Sequence, residues 1–156
     1  MSTNNVLTPT DSEVIMTEVV CPNDSNPLGI LQGGKLIQWM DIASAVCAQN
    51  HTQKICVTAS VDKVLFRHPA KIGDIILIKA KITCTFKTSM EIKVDAYSKK
   101  YSERVPKLIN EAYFTFVALE ESGKSALVNT IIPQSESEKK DYDAAILRRQ
   151  HRKLTI

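Results

Sequence analysis

The chain has 156 residues, carries a formal net charge of +3, and is 44% hydrophobic and 24% charged. This length and composition are typical of one globular domain with its own core. The small, dispersed positive charge argues against nucleic-acid binding, and the polar first dozen residues and the lack of a long apolar run argue against a signal peptide or a membrane span. We therefore expect a soluble, cytoplasmic protein with neither nucleic-acid nor membrane partners.

The cysteines indicate neither a metal site nor a disulfide framework. Cys21, Cys47, Cys56 and Cys84 are widely separated, with no Cys-x-x-Cys pair and no histidine at metal-ligand spacing. We expect no metal, and a reducing compartment is the simplest context.

The chain is expected to begin with a flexible tail over residues 1–12 and a first strand over residues 13–20, which are mostly β-branched. A turn-rich segment, residues 21–27, then leads into a loop that holds three of the chain's five glycines, between positions 29 and 34. Glycine density of this kind is typical of backbone that turns sharply or lies against a ligand.

A helix is predicted over residues 34–48, which are apolar on almost every side, as in a helix buried within a fold. Gln38, Asp41 and Ser44 interrupt this pattern at a spacing of three, so they share one narrow stripe. That stripe either touches water or faces a crevice. Asp41 is its only formal charge, and a carboxylate is rarely buried unless it is paired or functional.

After the helix, alternating apolar and polar residues predict a sheet with one covered and one wet face. Strands are expected over residues 57–66, 76–86, 90–96 and 108–119, with a short one near 126–130 and a bulge where the phase shifts at Lys63. Ser135 and Glu138 have the spacing of a capping box and begin an amphipathic helix with a basic end, residues 148–153. One buried helix in the curve of an antiparallel sheet gives an α+β fold.

Four stretches of this sequence, in order, are NPLGILQGGKLIQWMD, VTASVDKVLFRHPAKIGD, TSMEIKV and AYFTFVAL, and together they resemble the hotdog-fold acyl-CoA thioesterases. The likeness covers roughly residues 13–150 and is greatest to short bacterial acyl-CoA hydrolases of the YciA type and to the repeated domains of cytosolic brain-type enzymes. It implies a hotdog domain at residues 13–132, with one long central helix wrapped by a five- to six-stranded antiparallel sheet. A C-terminal helix and basic tail would follow at residues 133–156.

The resemblance also implies an activity and an assembly. Such enzymes hydrolyse acyl-CoA to a free acid and CoA, so coenzyme A is part of the substrate and the product and no separate cofactor is expected. They form homodimers with composite sites, commonly joined as trimers of dimers. An Asn of the glycine loop and an Asp of the central helix, taken from opposite subunits, carry the chemistry, and these positions are Asn26 and Asp41 here.

The residue types agree with that chemistry. The first amides of a helix, unobstructed at Gly33 and Gly34, can hold the oxyanion that develops on a thioester carbonyl, with Gly34 the preferred donor. Asp41 can either activate a water or attack the carbonyl to form a mixed anhydride, and both routes stay open. Asn26 either orients the substrate or water, or serves only as a turn former before Pro27.

Further residues are expected to hold the CoA phosphates because they carry hydroxyl or basic groups or adjoin residues that do. They are Arg67, His68, Pro69, Lys87, Thr88, Ser89, Met90, Arg148 and Arg149. Taken singly, each residue expected to hold phosphate is better explained as a solvated surface residue, but some of them must bind phosphate if the activity is correct. The resemblance implies that Thr58 and Ser60, on the strand after the helix, line the site near the thioester, as the matching strand does in the family.

Two other functions compete with hydrolysis. A non-catalytic hotdog that senses acyl-CoA would call for a DNA-binding extension, which the short polar N-terminus does not offer. A hotdog dehydratase or hydratase would need a catalytic His on or near the helix, where this chain has Asp41.

Overall fold

A computed structural model describes residues 6–154 of the chain. Its five strands form an antiparallel sheet, and they are β1 (Val14–Val19), β2 (Ile55–Phe66), β3 (Ile75–Thr85), β4 (Ser89–Lys99) and β5 (Lys107–Leu119). The order across the sheet is β1-β3-β4-β5-β2, so β1 and β2 are the edge strands. The long helices are α1 (Gly33–Thr52) and α2 (Glu136–Leu154), and neither is apolar enough over a sufficient length to cross a membrane.

Helix α1 forms one half of the hydrophobic core. Met40 and Ala43 are completely buried on α1, as are Ile78, Val94 and Phe114 on β3, β4 and β5. Because side chains alternate along a strand, every second residue of these three strands faces the helix. The predicted arrangement, a central helix against the inner face of an antiparallel sheet, is confirmed.

Helix α2 covers the outer face of the sheet and is held there by ionic contacts. Glu91 on β4 is completely buried and accepts hydrogen bonds from Arg148, from Nε at 2.9 Å and from Nη2 at 2.7 Å. The Thr83 hydroxyl donates a third bond to this carboxylate at 2.6 Å, and the Arg148 guanidinium stacks on the Tyr113 ring at 3.8 Å. Removing either partner of such a buried ion pair would leave an uncompensated charge, at a cost of about 3–5 kcal/mol.

The start of α2 and the end of α1 can be compared with the helix ends predicted from the sequence. The amide of Glu138 donates to the Ser135 hydroxyl at 3.1 Å and the amide of Ser135 donates to Glu138 Oε1 at 3.2 Å, which confirms the predicted capping box. Helix α1 runs four residues beyond the predicted end, to Thr52. Its last turn is stabilised by a hydrogen bond from the His51 ring to the Asn129 carbonyl at 2.7 Å, a long-range contact that sequence periodicity does not register.

Strand β2 contains two bulges. Its register with β5 shifts between Asp62 and Leu65, where Lys63 has φ of 51°, and this confirms the bulge predicted from the change of phase. A second shift lies between Thr58 and Ser60. Bulges interrupt regular pairing and bend an edge strand.

The short strand predicted near residues 126–130 was wrong. There the amides of Ala126 and Val128 bond singly to the carbonyls of Ala118 and Lys87, without a strand ladder. The segment follows β5, whose two sides are already paired with β4 and β2. The returning chain therefore has no free strand edge beside it.

The N-terminal segment also differs from the expected loose tail. Pro9–Ser12 forms a 3-10 helix in which Pro9 and Ser12 are buried, and Leu7 makes a parallel bridge with Ile131. The Asp11 carboxylate stabilises the helix start by accepting the Thr8 amide at 2.7 Å. Residues 1–5 of the predicted tail lie outside the described residues.

Candidate active site

The glycine loop is organised around Asn26. Its Oδ1 accepts hydrogen bonds from the amides of Leu28 and Ile30, at 3.0 Å and 3.1 Å, and its main chain pairs with Ile30 and Gly29. Gly29 has φ of 72°, a conformation that favours glycine. Asn26 therefore has the turn-forming role considered from sequence. Since Oδ1 is occupied in this way, the Nδ2 amide group is the part of the side chain suited to meet a ligand.

The start of α1 leaves its first amides open. The N-cap residue, Gln32, makes no side-chain cap, because its Nε2 donates instead to the Ser25 carbonyl at 2.9 Å. A methyl group placed on Gly33 would lie 3.1 Å from the ring of Phe66, whereas one placed on Gly34 would meet nothing within 4 Å. Gly33 is thus closely packed against the Phe66 ring, and Gly34 presents the less obstructed backbone.

A pocket of about 260 Å³ lies against this helix start. It brings together predicted site residues from distant positions, since Gly33 shares it with Arg67, His68 and Pro69 at the end of β2. The rest of its wall is apolar. The full set of lining residues is Ile30, Leu31, Gly33, Leu36, Phe66, Arg67, His68, Pro69, Ala70 and Ile109.

Asp41 lies at the boundary between water and core. The polar stripe of α1 runs from exposed Gln38 through half-buried Asp41 to fully buried Ser44, whose hydroxyl donates to the Met40 carbonyl at 2.8 Å. Oδ1 of Asp41 accepts a hydrogen bond of 2.6 Å from the hydroxyl of Thr58 on β2. The predicted catalytic carboxylate and a predicted site hydroxyl are therefore in direct contact.

Within one subunit, this carboxylate and the pocket occupy different ends of the structure. Thr58 pairs with Phe116 on β5, and Phe66 pairs with Asn110 towards the other end of that strand. Along α1, Gly33 and Asp41 are about 12 Å apart at a rise of about 1.5 Å per residue. A single chain therefore presents two half sites, one with open helix amides and one with a carboxylate.

Comparison with known proteins identifies the family. The family profile described as Thioesterase superfamily matches residues 28–103. The acyl-CoA hydrolase of Staphylococcus aureus, solved in complex with butyryl coenzyme A, coenzyme A and coenzyme A disulfide, superposes with a TM-score of 0.90 at 32% identity, over 96% of this chain and 92% of that one. The chain belongs to the thioesterase superfamily. The predicted family resemblance is thereby confirmed.

Two further known proteins are similar to this chain, one of them a hexamer and the other a much longer protein. An apo-hexameric acyl-CoA thioesterase superposes with a TM-score of 0.92 at 36% identity and covers 96% of both chains. The acetyl-coenzyme A thioesterase of Mus musculus is 36% identical over 140 residues, which is 90% of this chain and 25% of the mouse protein. The chain thus spans about a quarter of the length of that curated relative.

The remaining residues predicted for CoA binding are dispersed over this thioesterase-superfamily fold. Lys87, Thr88 and Ser89 lie at the turn between β3 and β4, and Met90 is completely buried in the core. Ser60 lies 3.5 Å from Nη1 of Arg152 on α2, so it is engaged from the outer side of the sheet.

The two arginines of α2 that were expected to hold phosphate have partners within the chain. Arg148 is bound to Glu91, and Arg149 stacks on the Phe86 ring at 4.0 Å. Arg67 likewise donates from Nε to Glu111 at 2.6 Å. The sequence showed the basic cluster of α2 but not the buried carboxylate that takes one of its members.

Sequence reasoning missed one polar residue near the pocket. Asn110 is completely buried in β5, next to Ile109 of the pocket wall. A signal was present, because Asn110 occupies the same alternate positions of the strand as Phe114 and Phe116, which face the core.

The histidine of α1 has a structural placement. His51 is buried in the last turn, ten residues after Asp41, and its pKa is lowered because burial disfavours the charged ring. The Nε2 atom of His51 is hydrogen-bonded to the Asn129 carbonyl. His51 is therefore not the helix histidine that a hotdog dehydratase or hydratase would need.

Proposed function

We propose that the chain hydrolyses acyl-CoA thioesters to the free carboxylic acid and CoA, with Asp41 as the central group. The observation that carries this proposal is the Asp41–Thr58 hydrogen bond in a chain of the thioesterase superfamily. Alanine variants of the Staphylococcus aureus hydrolase replace an Asn, an Asp and a Thr, of which the Asn precedes the Asp by 15 positions and the Thr follows it by 17. Asn26, Asp41 and Thr58 have these same two separations.

The chemistry needs a base or nucleophile and a site for negative charge. The Asp41 carboxylate takes a proton from water as that water attacks the thioester carbonyl, or attacks the carbonyl itself to give an anhydride that water then cleaves. The carbonyl oxygen gains charge in either route, and the first amides of a helix stabilise it. Collapse of this oxyanion breaks the C–S bond, which in the second route happens as the anhydride forms, and CoA leaves as the thiol after taking a proton.

A second copy of the chain would complete the site. Edge strand β2 and the adjacent face of α1 expose apolar side chains, among them Ile42 and Val46 at 45% and 42% exposure and Leu65 at 51%. An unpaired edge strand beside an apolar patch is typical of a subunit interface. If two copies of β2 pair antiparallel about a two-fold axis near residue 62, Thr58 of one subunit lies opposite Phe66 of the other.

This pairing joins the two half sites. Asp41 and Thr58 of one subunit would face the partner subunit's Asn26 and the amides of its Gly33 and Gly34, with the partner's pocket for the acyl chain. The exposed His68 side chain and the turn at residues 87–89 are then available to the CoA phosphates, and Arg67, which is exposed but bonded to Glu111, adds positive charge beside them. CoA itself is part of the substrate and product, so the reaction requires no other cofactor.

The proposed assembly is a trimer of such dimers in the cytoplasm. The hexameric thioesterase that shares 36% identity supports the assembly. Cys21, Cys47, Cys56 and Cys84 are free thiols, which suits a reducing compartment.

Thiol release measured with a disulfide reagent tests the function. The purified protein is incubated with a series of acyl-CoAs, beside Asp41→Asn and the control Asp143→Asn, an exposed carboxylate on α2. We expect wild-type release, a fall in kcat of about 10²–10⁴ for Asp41→Asn, and an unchanged rate for the control. Absence of release from every acyl-CoA would refute the proposal, and unchanged release by Asp41→Asn would remove Asp41 from the mechanism.

A further inference from the structure

Asn110 is a buried amide whose hydrogen-bonding groups are unused by the protein. Its exposure is 0%, and neither Oδ1 nor Nδ2 has a hydrogen-bond partner within residues 6–154. Most buried polar side chains in folded proteins are paired, because losing water without gaining a partner costs free energy. Such a residue in the core of a thioesterase-superfamily chain calls for a partner outside the protein's own side chains.

The position of Asn110 is next to the pocket at the start of α1. It pairs with Phe66 on β2 and with Ala96 on β4, and directly opposed residues of antiparallel strands point to the same face with Cα atoms about 5 Å apart. The ring of Phe66 lies against Gly33, the first residue of α1. The backbone of Asn110 is therefore about one strand spacing from that of Phe66, an aromatic residue of the pocket wall.

The backbone beside Asn110 directs its neighbour Ile109 into that pocket. The register between β4 and β5 shifts next to the Asn110–Ala96 pair, with Ile109 as the extra residue. Ile109 lines the pocket, and only 2% of its surface is exposed. A bulge of this kind re-aims side chains at a ligand site.

The side chains beside Asn110 in the sheet offer it nothing polar. Its paired neighbours are Phe66 and Ala96, and Ala112 is the next inward-facing residue of the same strand. A water molecule held there would need two to four polar partners, which these apolar side chains do not provide. A polar group on an otherwise apolar ligand is suited to this position, because its carbon chain would pack against the same walls.

We propose that Asn110 receives a hydroxyl group carried on one of the first carbons of the acyl chain, so that the preferred substrates are hydroxyacyl-CoA thioesters. This inference rests on the proposed thioesterase function. The Asn amide presents one acceptor oxygen and one donor nitrogen, and a hydroxyl both donates and accepts, so one hydroxyl satisfies both atoms. A site built to bond a hydroxyl discriminates strongly against the analogue that lacks it, because its own polar groups are then left unpaired.

The test compares butyryl-CoA with the hydroxybutyryl-CoA isomers in the thiol-release assay. For the wild type we expect kcat/KM for the best hydroxy isomer to exceed that for butyryl-CoA at least about tenfold. Asn110→Leu replaces the amide by an apolar group of similar size, so it should bring this ratio to one or below while keeping or raising the thermal stability. Ile78→Val, a core change on β3, is the matched control and should leave the ratio unchanged.

The outcomes separate this inference from the function on which it rests. If the wild type hydrolyses both thioesters with nearly equal kcat/KM, the role of Asn110 is overturned and the hydrolase function still stands. This result is obtained with the wild type alone, so it does not depend on whether a variant folds. An equal loss of rate on both substrates in Asn110→Leu also overturns it, since the amide would then contact the CoA arm that both share. Failure of the wild type to release thiol from any of these thioesters refutes the hydrolase itself.

Discussion

The Thr58 hydroxyl lies 2.6 Å from Oδ1 of Asp41 and connects edge strand β2 to the middle of α1. The bond occupies one carboxylate oxygen and fixes its direction, which leaves Oδ2 to meet a water or a thioester carbonyl. The Asp41 side chain is half-buried, so the electrostatic interactions of its carboxylate are screened less than they would be in bulk water. The proposed catalysis depends on this pair.

Thr58→Val tests the hydroxyl with little change of shape. We expect kcat to fall about tenfold and KM to stay near its original value, because the carboxylate loses the group that orients it. Thr58→Ser keeps the hydroxyl and should recover most of kcat. Both constants follow from steady-state thiol release, and a Val variant with unchanged kcat would contradict a positioning role.

Asn26→Asp separates the turn-forming role from the chemical one. The Asp oxygen still accepts the amides of Leu28 and Ile30, but the Nδ2 donor is gone. We expect a thermal midpoint close to wild type with kcat lowered at least about tenfold. Asn26→Ala should lower both quantities.

The added charge is controlled by Asn23→Asp, an exposed position in the same turn-rich segment, which should leave kcat unchanged. If kcat of Asn26→Asp equals that of the wild type, Asn26 serves only to form the turn.

The two glycines at the start of α1 should respond differently to alanine. Gly34→Ala meets no atom within 4 Å and replaces glycine in a helix, so the protein should be equally stable or gain up to about 1 kcal/mol. Its kcat should nevertheless fall, because in the proposed mechanism the substrate carbonyl approaches this amide and the new methyl group would obstruct it. Gly33→Ala requires the Phe66 ring, 3.1 Å from the new methyl group, to shift, so this variant should have a lower thermal midpoint than Gly34→Ala.

Thermal unfolding together with kcat distinguishes these effects. A Gly34→Ala variant that keeps full activity would show that the amide surface at this glycine is not where the oxyanion binds.

Buried His51 predicts a pH dependence of stability. Its pKa in the folded protein is lowered from the ordinary value of 6.5, chiefly by burial. Between the lowered and the ordinary pKa the unfolded chain binds a proton that the folded chain does not, so the free energy of unfolding falls as the pH drops below about 6.5. We expect the thermal midpoint to decrease from pH 7.5 to 5.5 (about two pH units, spanning the ordinary pKa).

His51→Gln removes the titrating ring and should flatten this decrease, even if its midpoint is lower at every pH. His68→Gln, at an exposed histidine, is the control and should leave the slope in place. An equal slope in His51→Gln would assign the pH dependence to other groups.

Features set by neighbouring residues could be predicted from the sequence. Ser135 and Glu138 are three positions apart, so their reciprocal cap was predictable, and the bulge at Lys63 followed from a change of phase within a few residues. Glu91 and Arg148 are separated by 57 positions, and their buried pair depends on α2 crossing the outer face of the sheet. No local pattern contains that information.

The candidate site follows the same division. Asn26 and Asp41 could be nominated because a glycine loop and a lone charge in an apolar helix are visible in the sequence. The hydrogen bond between Asp41 and Thr58 depends on the path of an edge strand with two bulges, and the isolation of Asn110 depends on its neighbours across three strands. Those relations require the folded chain.

The most direct test of the account is complementation between two inactive subunits. Asn26→Asp and Asp41→Asn chains are unfolded together, refolded as a mixture and assayed for thiol release, with each variant refolded alone as the control. If each site joins Asn26 of one subunit to Asp41 of its partner, half of the dimers are mixed and each carries one intact site, which restores about a quarter of the wild-type rate. A mixture no more active than the separate variants would contradict a site shared between subunits.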